Sequence, residues 1–238
     1  MADERLIVAL DFHKLAQVMK LVEELGDSVN FYKVGMELFY SAGPAVIEYL
    51  QQKKKKIFLD LKLHDIPNTT AEGLCSLTRL GVDILNVHAA GGFTMMKTAA
   101  ERVHQEAERL NIPCPKILAI TVLTSMSEEE WQQLGYTKSV TEQVVHLAKL
   151  AQKAGLDGVV ASPREAELIR KACGEDFLIV TPGVRPQWAA VNDQSRIATP
   201  AQALKNGSTH LVIGRPIRAA EKPVEAAKKI LAEMETVK

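Results

Sequence analysis

The sequence predicts an α/β fold of the (β/α)8 barrel class, on three observations. Short apolar runs alternate with amphipathic stretches from end to end; there are eight such pairs; and polar residues gather just after the apolar runs. The runs fall at residues 6–10, 30–35, 56–61, 83–88, 116–122, 158–161, 177–181 and 210–214. Each is close to continuously apolar, as strands are when both faces are covered. Helical patterns fill the intervals at 14–25, 45–52, 69–80, 95–110, 141–154, 164–172, 200–206 and 223–234. Strands separated by helices pair in parallel through right-handed crossovers. Eight units in 238 residues match one closed barrel spanning 1–238 as a single domain. A doubly wound open sheet is the alternative, but ALDFHK follows the first strand, where that fold carries GxGxxG.

Punctuation supports these boundaries. Gly26, Gly81 and Gly155 stand just after helical patterns, where a C′ glycine belongs. Pro44, Pro67, Pro163, Pro200 and Pro223 stand where first helical turns begin. The four lysines at 53–56 close the second helix and read as a solvated end whose cations suit the helix dipole. No aromatic residue interleaves them, which opposes a nucleic-acid patch.

Composition narrows the function. Twenty-nine basic and 29 acidic residues cancel, against a dedicated nucleic-acid or membrane-surface protein. No apolar run approaches a membrane span, and the amino terminus MADERLIVALD has acids where a signal peptide needs bases, so a cytoplasmic location is expected. Cys75, Cys114 and Cys173 lack metal-ligand spacing; Cys75 and Cys173 read as packing residues. Met95 and Met96 read as core, and His88 as a hydrogen-bonded barrel residue.

The third run, FLDLKLHDIP, is the most informative. Alternation along a strand puts Asp60 and Lys62 on one face, with Asp65 just past the strand end. An acid and an amine on an inner face are costly to bury unless paired for a purpose. In barrels the functional residues lie at the carboxyl ends of strands. Asp11, Lys33, the third run's Asp60, Lys62 and Asp65, His88, residues 121–125, Thr181 with Arg185, and Gly214 with Arg215 all fall there. TPGVRP and VIGRPI follow strands seven and eight, the usual phosphate-binding pair of loops, and each carries a glycine and an arginine. The long connection 184–198 reads as a lid.

These residues assemble into a resemblance. VALDF, KVG, FLDLKLHDIPNT, NVHAAGG, TVLTS, TPGVRP, DQSRIATPAQA and VIGRPI run nearly end to end, and together they resemble the orotidine 5′-phosphate decarboxylase family. The block DLKLHDIPNT is highly specific; a bare DxKxxD is shared with sugar-phosphate decarboxylases of the same superfamily.

The resemblance implies a homodimeric barrel that converts orotidine 5′-monophosphate to UMP without metal or organic cofactor. It implies a charged tetrad of Lys33, Asp60 and Lys62 with Asp65 of the partner subunit. It implies ribose contacts from Asp11 and the partner's Thr69, and a pyrimidine contact from Thr124. Gln194 would bridge base and phosphate. Arg215, the Gly214 amide and Arg185 would hold the phosphate. Two alternatives stay open: a Mg²⁺-dependent keto-sugar-phosphate decarboxylase, which needs a carboxylate where Lys33 stands, and a non-catalytic nucleotide-phosphate sensor, which should have lost part of the tetrad.

Overall fold

The computed structural model describes residues 2–189 and 198–237. Eight strands pair in sequence order, all parallel, and close into a barrel: β1 (Leu6–Ala9), β2 (Phe31–Gly35), β3 (Lys56–Leu63), β4 (Ile84–His88), β5 (Lys116–Ile120), β6 (Gly158–Val160), β7 (Leu178–Thr181) and β8 (His210–Ile213). The helices are α1 (Leu15–Leu25), α2 (Met36–Ala42), α3 (Ala45–Gln52), α4 (Pro67–Thr78), α5 (Gly92–Leu110), α6 (Glu128–Gln133), α7 (Val140–Lys153), α8 (Ala166–Cys173), α9 (Pro200–Lys205), α10 (Arg215–Arg218) and α11 (Pro223–Glu235). All eight expected strands form within a few residues of their predicted ends.

Strand alternation divides the core in two. Ile7, Ala9, Phe31, Phe58, Ile84, Leu118, Val180 and Val212 face the lumen and pack into one cluster. Their neighbours on each strand, such as Val8, Tyr32, Leu59, Leu85, Ile179 and Leu211, join the larger layer between barrel and helices. The lumen is therefore a filled core, with two phenylalanine rings supplying much of its bulk. Met95 and Met96 are buried, as are Cys75 and Cys173, while Cys114 is exposed.

Three helices escape the sequence reading. Helix α2 follows β2 with no intervening loop, so its apolar residues merge with the strand pattern. Helix α10 is a single turn. Helix α6 carried a readable signal: Ser127 and Glu130 form a capping box, repeated by Ser139 and Glu142 at the start of α7. Glu128 also accepts from the Val140 backbone N–H, fastening the two helix starts together. The prolines divide. Pro67, Pro200 and Pro223 occupy first turns, Pro44 is one residue earlier at an N-cap, and Pro163 precedes α8 by three residues.

The lysine run is not a freely solvated helix end. Lys55 donates to the carbonyls of Gly26 (2.7 Å) and Val29 (3.0 Å) and to Asn30 Oδ1 (3.1 Å). Lys53 pairs with Glu23 and Lys56 with Glu4. These cations tie the α3–β3 turn to neighbouring chain ends.

The α4–α5 seam closes on a buried acid. Glu106 accepts from Arg109 at 2.8 and 2.9 Å and from Arg79 at 2.6 Å. The two guanidinium groups, Arg109 foremost, hold its carboxyl down to about 2. A depressed native pKa contributes stability that is present above the ordinary carboxylate range and is lost as pH falls through about 2. Glu106→Gln should therefore lower the urea midpoint at pH 7, and the gap to the parent protein should narrow steadily as unfolding is repeated at pH 5, 4 and 3. A gap independent of pH would mean that the carboxylate charge contributes nothing.

Candidate active site

The site lies where the lumen stripes reach the carboxyl ends of the strands. One pleat step beyond Phe31 stands Lys33, and one step beyond Phe58 stands Asp60. The parallel register sets Lys33 beside Phe58 and Gly35 beside Asp60. The same step from Ala9 reaches Asp11, and from Ile84 it reaches Asn86 and then His88. Polar side chains thus follow apolar ones on four adjacent strands.

Asp60, 7 % exposed, is the hub. Lys62 Nζ lies 2.7 Å from its Oδ1, and Lys33 Nζ lies 3.3 Å from its Oδ2. Lys33 also donates to Asp11 Oδ1 at 3.2 Å. Burial alone would raise the Asp60 pKa, but Lys33 and then Lys62 outweigh it and hold the carboxyl below its ordinary value. Lys33 shows the converse: burial opposes its charge, Asp60 and then Asp11 overcome that, and its pKa is raised. Both partners agree on a charged array.

Space for the Lys33 ammonium comes from Gly35. A Cβ there would stand 2.9 Å from Lys33 Nζ and 3.7 Å from Asp11 Oδ1. The glycine of KVG is needed for room; its φ of −92° is open to any residue.

Lys62 does meet Asp60, but regular alternation is not what brings it there. Its φ is +54°, and the β3–β4 register shifts between Leu59 and Leu63. Such a bulge re-aims a side chain at a strand end. The Lys62 backbone N–H is taken up by Asn86 Oδ1 at 2.8 Å, while Asn86 Nδ2 donates to Asp60 Oδ1 at 2.6 Å. Asn86 was passed over in the sequence. Its signal was one carboxamide inside the apolar strand ILNVH.

Asp65 behaves otherwise. It is exposed, its Oδ1 accepts from the Ile66 N–H at 2.6 Å, and it forms no ion pair with any described residue. Thr69 is exposed on the first turn of α4. The fold therefore joins Lys33, Asp60, Lys62 and Asp11 within one chain and leaves Asp65 and Thr69 facing outward. His88 departs from its expected role. Its ring packs on His64 with centroids 5.3 Å apart, and no hydrogen bond to it is found among the described residues. Burial, then His64, then Lys62 lower its pKa.

Beside the charges opens a cavity of about 190 Å³. Phe58 and Val212 contribute to it from the lumen core, and Ile120, Val122, Val160 and Pro182 make an apolar wall opposite Lys33, Asp60 and Lys62. Thr124 reaches the same cavity. Mostly apolar, with three charged groups gathered on one side, it suits a flat ring bearing a charged substituent.

The loops after β7 and β8 supply the remaining candidates. Arg185 is buried, with Nη1 2.9 Å from the Val184 carbonyl. Its backbone N–H donates to the Ala198 carbonyl, and Val184 bridges Ala198, so the base of the 184–198 connection is pinned. Gly183 takes a φ of +76°. Gly214 passes so near β1 that a Cβ would lie 3.3 Å from Ala9 Cβ and 3.4 Å from Asp11 Oδ2. Arg215 follows it, partly exposed, at the start of α10. Gln194 and most of the expected lid lie outside the described residues. Among the described residues, no group of three or more His, Cys, Asp or Glu is placed to hold a metal ion.

Comparison with known proteins shows what this chain is similar to. Orotidine 5′-phosphate decarboxylase of Moorella thermoacetica is 53 % identical over 238 residues, covering 100 % of this chain and 94 % of its own. The enzyme of the same name from Geobacter metallireducens is 51 % identical over 98 % of this chain and 97 % of its own. The crystal structure of orotidine 5′-phosphate decarboxylase from Lactobacillus acidophilus superposes with a TM-score of 0.85 at 43 % identity, covering 98 % of this chain and 99 % of that one. The family model described as "Orotidine 5′-phosphate decarboxylase / HUMPS family" matches residues 4–230, and the chain belongs to that family.

Proposed function

We propose that this chain is a lyase that decarboxylates orotidine 5′-monophosphate to UMP and CO2, the last step of de novo UMP synthesis. The observation that carries the reading is the Lys33–Asp60–Lys62 array at 2.7 to 3.3 Å beside a mostly apolar cavity, in a chain 53 % identical to a decarboxylase of that name.

In this reading the pyrimidine lies against the apolar wall with Thr124 at its edge. Breaking the bond from C6 to the carboxylate leaves an electron pair in the ring plane, which the ring π system cannot delocalise. Stabilisation must come from fixed charge and positioning. Lys62 faces the developing carbanion and transfers a proton from Nζ to C6; the resulting amine regains its proton from water. Asp60 stands near the departing carboxylate, and the repulsion eases as neutral CO2 forms. Lys33 keeps Asp60 ionised and in place, and Asp11 binds the ribose hydroxyls. Arg215, the Gly214 amide and Arg185 hold the phosphate, with Gln194 bridging phosphate and base, so that binding energy far from C6 sets the charges in register.

The working unit is a homodimer in this proposal. Asp65 of the partner subunit completes the tetrad, and the partner's Thr69 reaches the ribose. Support comes from the outward placement of both residues and from large apolar side chains near them. Ile66 is 67 % exposed, Tyr40 72 % and Met36 42 %, on the segments that directly follow β3 and β2. Large apolar side chains left exposed at the ends of site strands are of the kind that interfaces cover. No helix of the described residues is long and apolar enough to cross a membrane. The cytoplasm fits an enzyme of nucleotide synthesis whose three cysteines are unpaired.

The sugar-phosphate decarboxylase alternative meets an electrostatic obstacle. A divalent cation on Asp60 would have to share that carboxylate with two ammonium groups. Three experiments test the proposal. With excess EDTA, purified protein should still convert orotidine 5′-monophosphate to UMP, followed by ultraviolet absorbance; activity only on a keto-sugar phosphate, and only with Mg²⁺, would transfer it to the other branch.

Lys62→Ala should lower kcat by roughly 10³-fold or more. Asp65→Ala should do likewise, and mixing the two inactive variants should restore part of the activity, because one site of each heterodimer then holds both groups. Absence of complementation between folded variants would end the shared-site reading. Arg215→Ala should reduce kcat/KM by roughly 100-fold, with a lower kcat and a higher KM. Unchanged kinetics would remove Arg215 from the phosphate site.

A further inference from the structure

Asn86 has no role in the scheme above, yet it touches both groups on which that scheme depends. It is 1 % exposed and sits on the lumen face of β4 between Ile84 and His88. A carboxamide there costs free energy unless both ends are satisfied, and an apolar residue of equal size would fill the lumen without that cost. Both ends are satisfied, and by the site itself. Nδ2 donates to Asp60 Oδ1 at 2.6 Å, and Oδ1 accepts from the Lys62 N–H at 2.8 Å. The amide orientation follows from its partners, since a backbone N–H can only donate and an ionised carboxylate can only accept.

We propose that Asn86 is a positioning residue for decarboxylation, its carboxamide fixing the Asp60 carboxylate and the Lys62 backbone at one time. Two constraints meet in it. At Asp60, Oδ1 receives Lys62 Nζ and Asn86 Nδ2, and Oδ2 receives Lys33, so the carboxylate plane is held from three sides. At Lys62, the backbone is left-handed with φ +54°, a conformation that costs a non-glycine residue free energy and persists only where its surroundings determine it. The β3–β4 register is irregular at this point, and the Asn86 side chain takes the Lys62 N–H in place of a ladder carbonyl. Leu59 pairs with Leu85 and Leu63 with Val87 on either side, and within the bulge between them Asn86 is the β4 residue that accepts the Lys62 N–H. The inference rests on Asp60 and Lys62 being the reacting charges.

Two near-isosteric substitutions separate positioning from packing. Asn86→Leu removes both hydrogen bonds. Asn86→Asp keeps an acceptor for the Lys62 N–H and sets a second carboxyl against Asp60. Lys33 from β2 and Lys62 from β3 favour ionisation of Asp60, with Asp11 beyond Lys33 and His64 and His88 on the β4 side. The shared proton therefore resides on the introduced carboxyl, which in that form donates to Asp60 and accepts from Lys62 as the amide does.

Asn86→Leu should lose roughly 30-fold or more in kcat at every pH, with KM within about threefold of the parent. Asn86→Asp should work well at low pH and lose kcat as pH rises and the shared proton leaves, giving a descending limb absent from the parent. Steady-state pH profiles of the two variants and the parent, with Lys62→Ala alongside, decide the matter. Parent-like kcat in Asn86→Leu, or parallel losses in both variants at all pH values, overturns the proposal. Should Asn86→Leu fail to fold, the presence or absence of the descending limb in Asn86→Asp decides alone. Parent-like turnover by Lys62→Ala would instead overturn the underlying site assignment.

Discussion

A single buried carboxylate organises this molecule. Asp60 stands at the mouth of the lumen with almost no access to water, and an isolated charge there would neutralise. It stays ionised because two lysines reach it from β2 and β3. Those lysines are tolerable for the same reason: Lys33 is buried nearly as deeply and is held charged by Asp60 and Asp11. Each charge is thus the condition for the next. Breaking one member leaves an uncompensated buried charge, a far larger penalty than loss of a surface pair. Stability and chemistry draw on the same contacts, so variants at these positions must be judged on folding and turnover together.

The barrel makes that arrangement possible by geometry. Lumen positions alternate along every strand, so a residue two places beyond a core side chain lies directly above it. Phe31 and Phe58 form a floor, and Lys33 and Asp60 rise from the same two strands. Where β5 to β8 continue with Ile120, Val160, Pro182 and Val212, the opposite side of the mouth stays apolar. The polarity of the mouth is therefore set strand by strand: polar or charged from β1 to β4, mainly apolar from β5 onward. A planar heterocycle can lie on the second side while its reacting carbon faces the first.

Much of this was legible in the sequence. Eight apolar runs with helical intervals specify the closed parallel barrel, because covered strands and crossover helices leave few other solutions. Asp60, Lys62, Lys33 and Asp11 announced themselves as charges inside or just past apolar runs. What stayed hidden has physical causes. Alternation placed Lys62 on the correct side without revealing the bulge, since a positive φ leaves no mark on a lysine codified only by its neighbours in sequence. Asn86 was invisible because a neutral carboxamide in a strand draws less notice than a charge, although its burial is nearly as demanding. The α2 and α10 helices are too short or too closely joined to a strand to show a period of their own. The lysines at 53–56 looked like a solvated run because pairing with distant carbonyls cannot be read from a local pattern.

Under the shared-site proposal, Asp65 is the residue that one chain supplies to the other. The strand that carries Asp60 and Lys62 inward turns outward immediately afterwards, and the acid three residues beyond Lys62 is exposed and forms no ion pair with any described residue. An exposed carboxylate is ordinary. One placed beside an exposed isoleucine, on the rim of a site that already holds two lysines against one fully buried acid, is less so. In charge terms Lys62 has one close counter-ion and shares it with Lys33. Lys33 has Asp11 as a second carboxylate, and an acid delivered across an interface would give Lys62 one as well. Dimerisation would then complete the electrostatics of the site, and the outward turn after β3 would be the feature that makes each subunit a donor to the other.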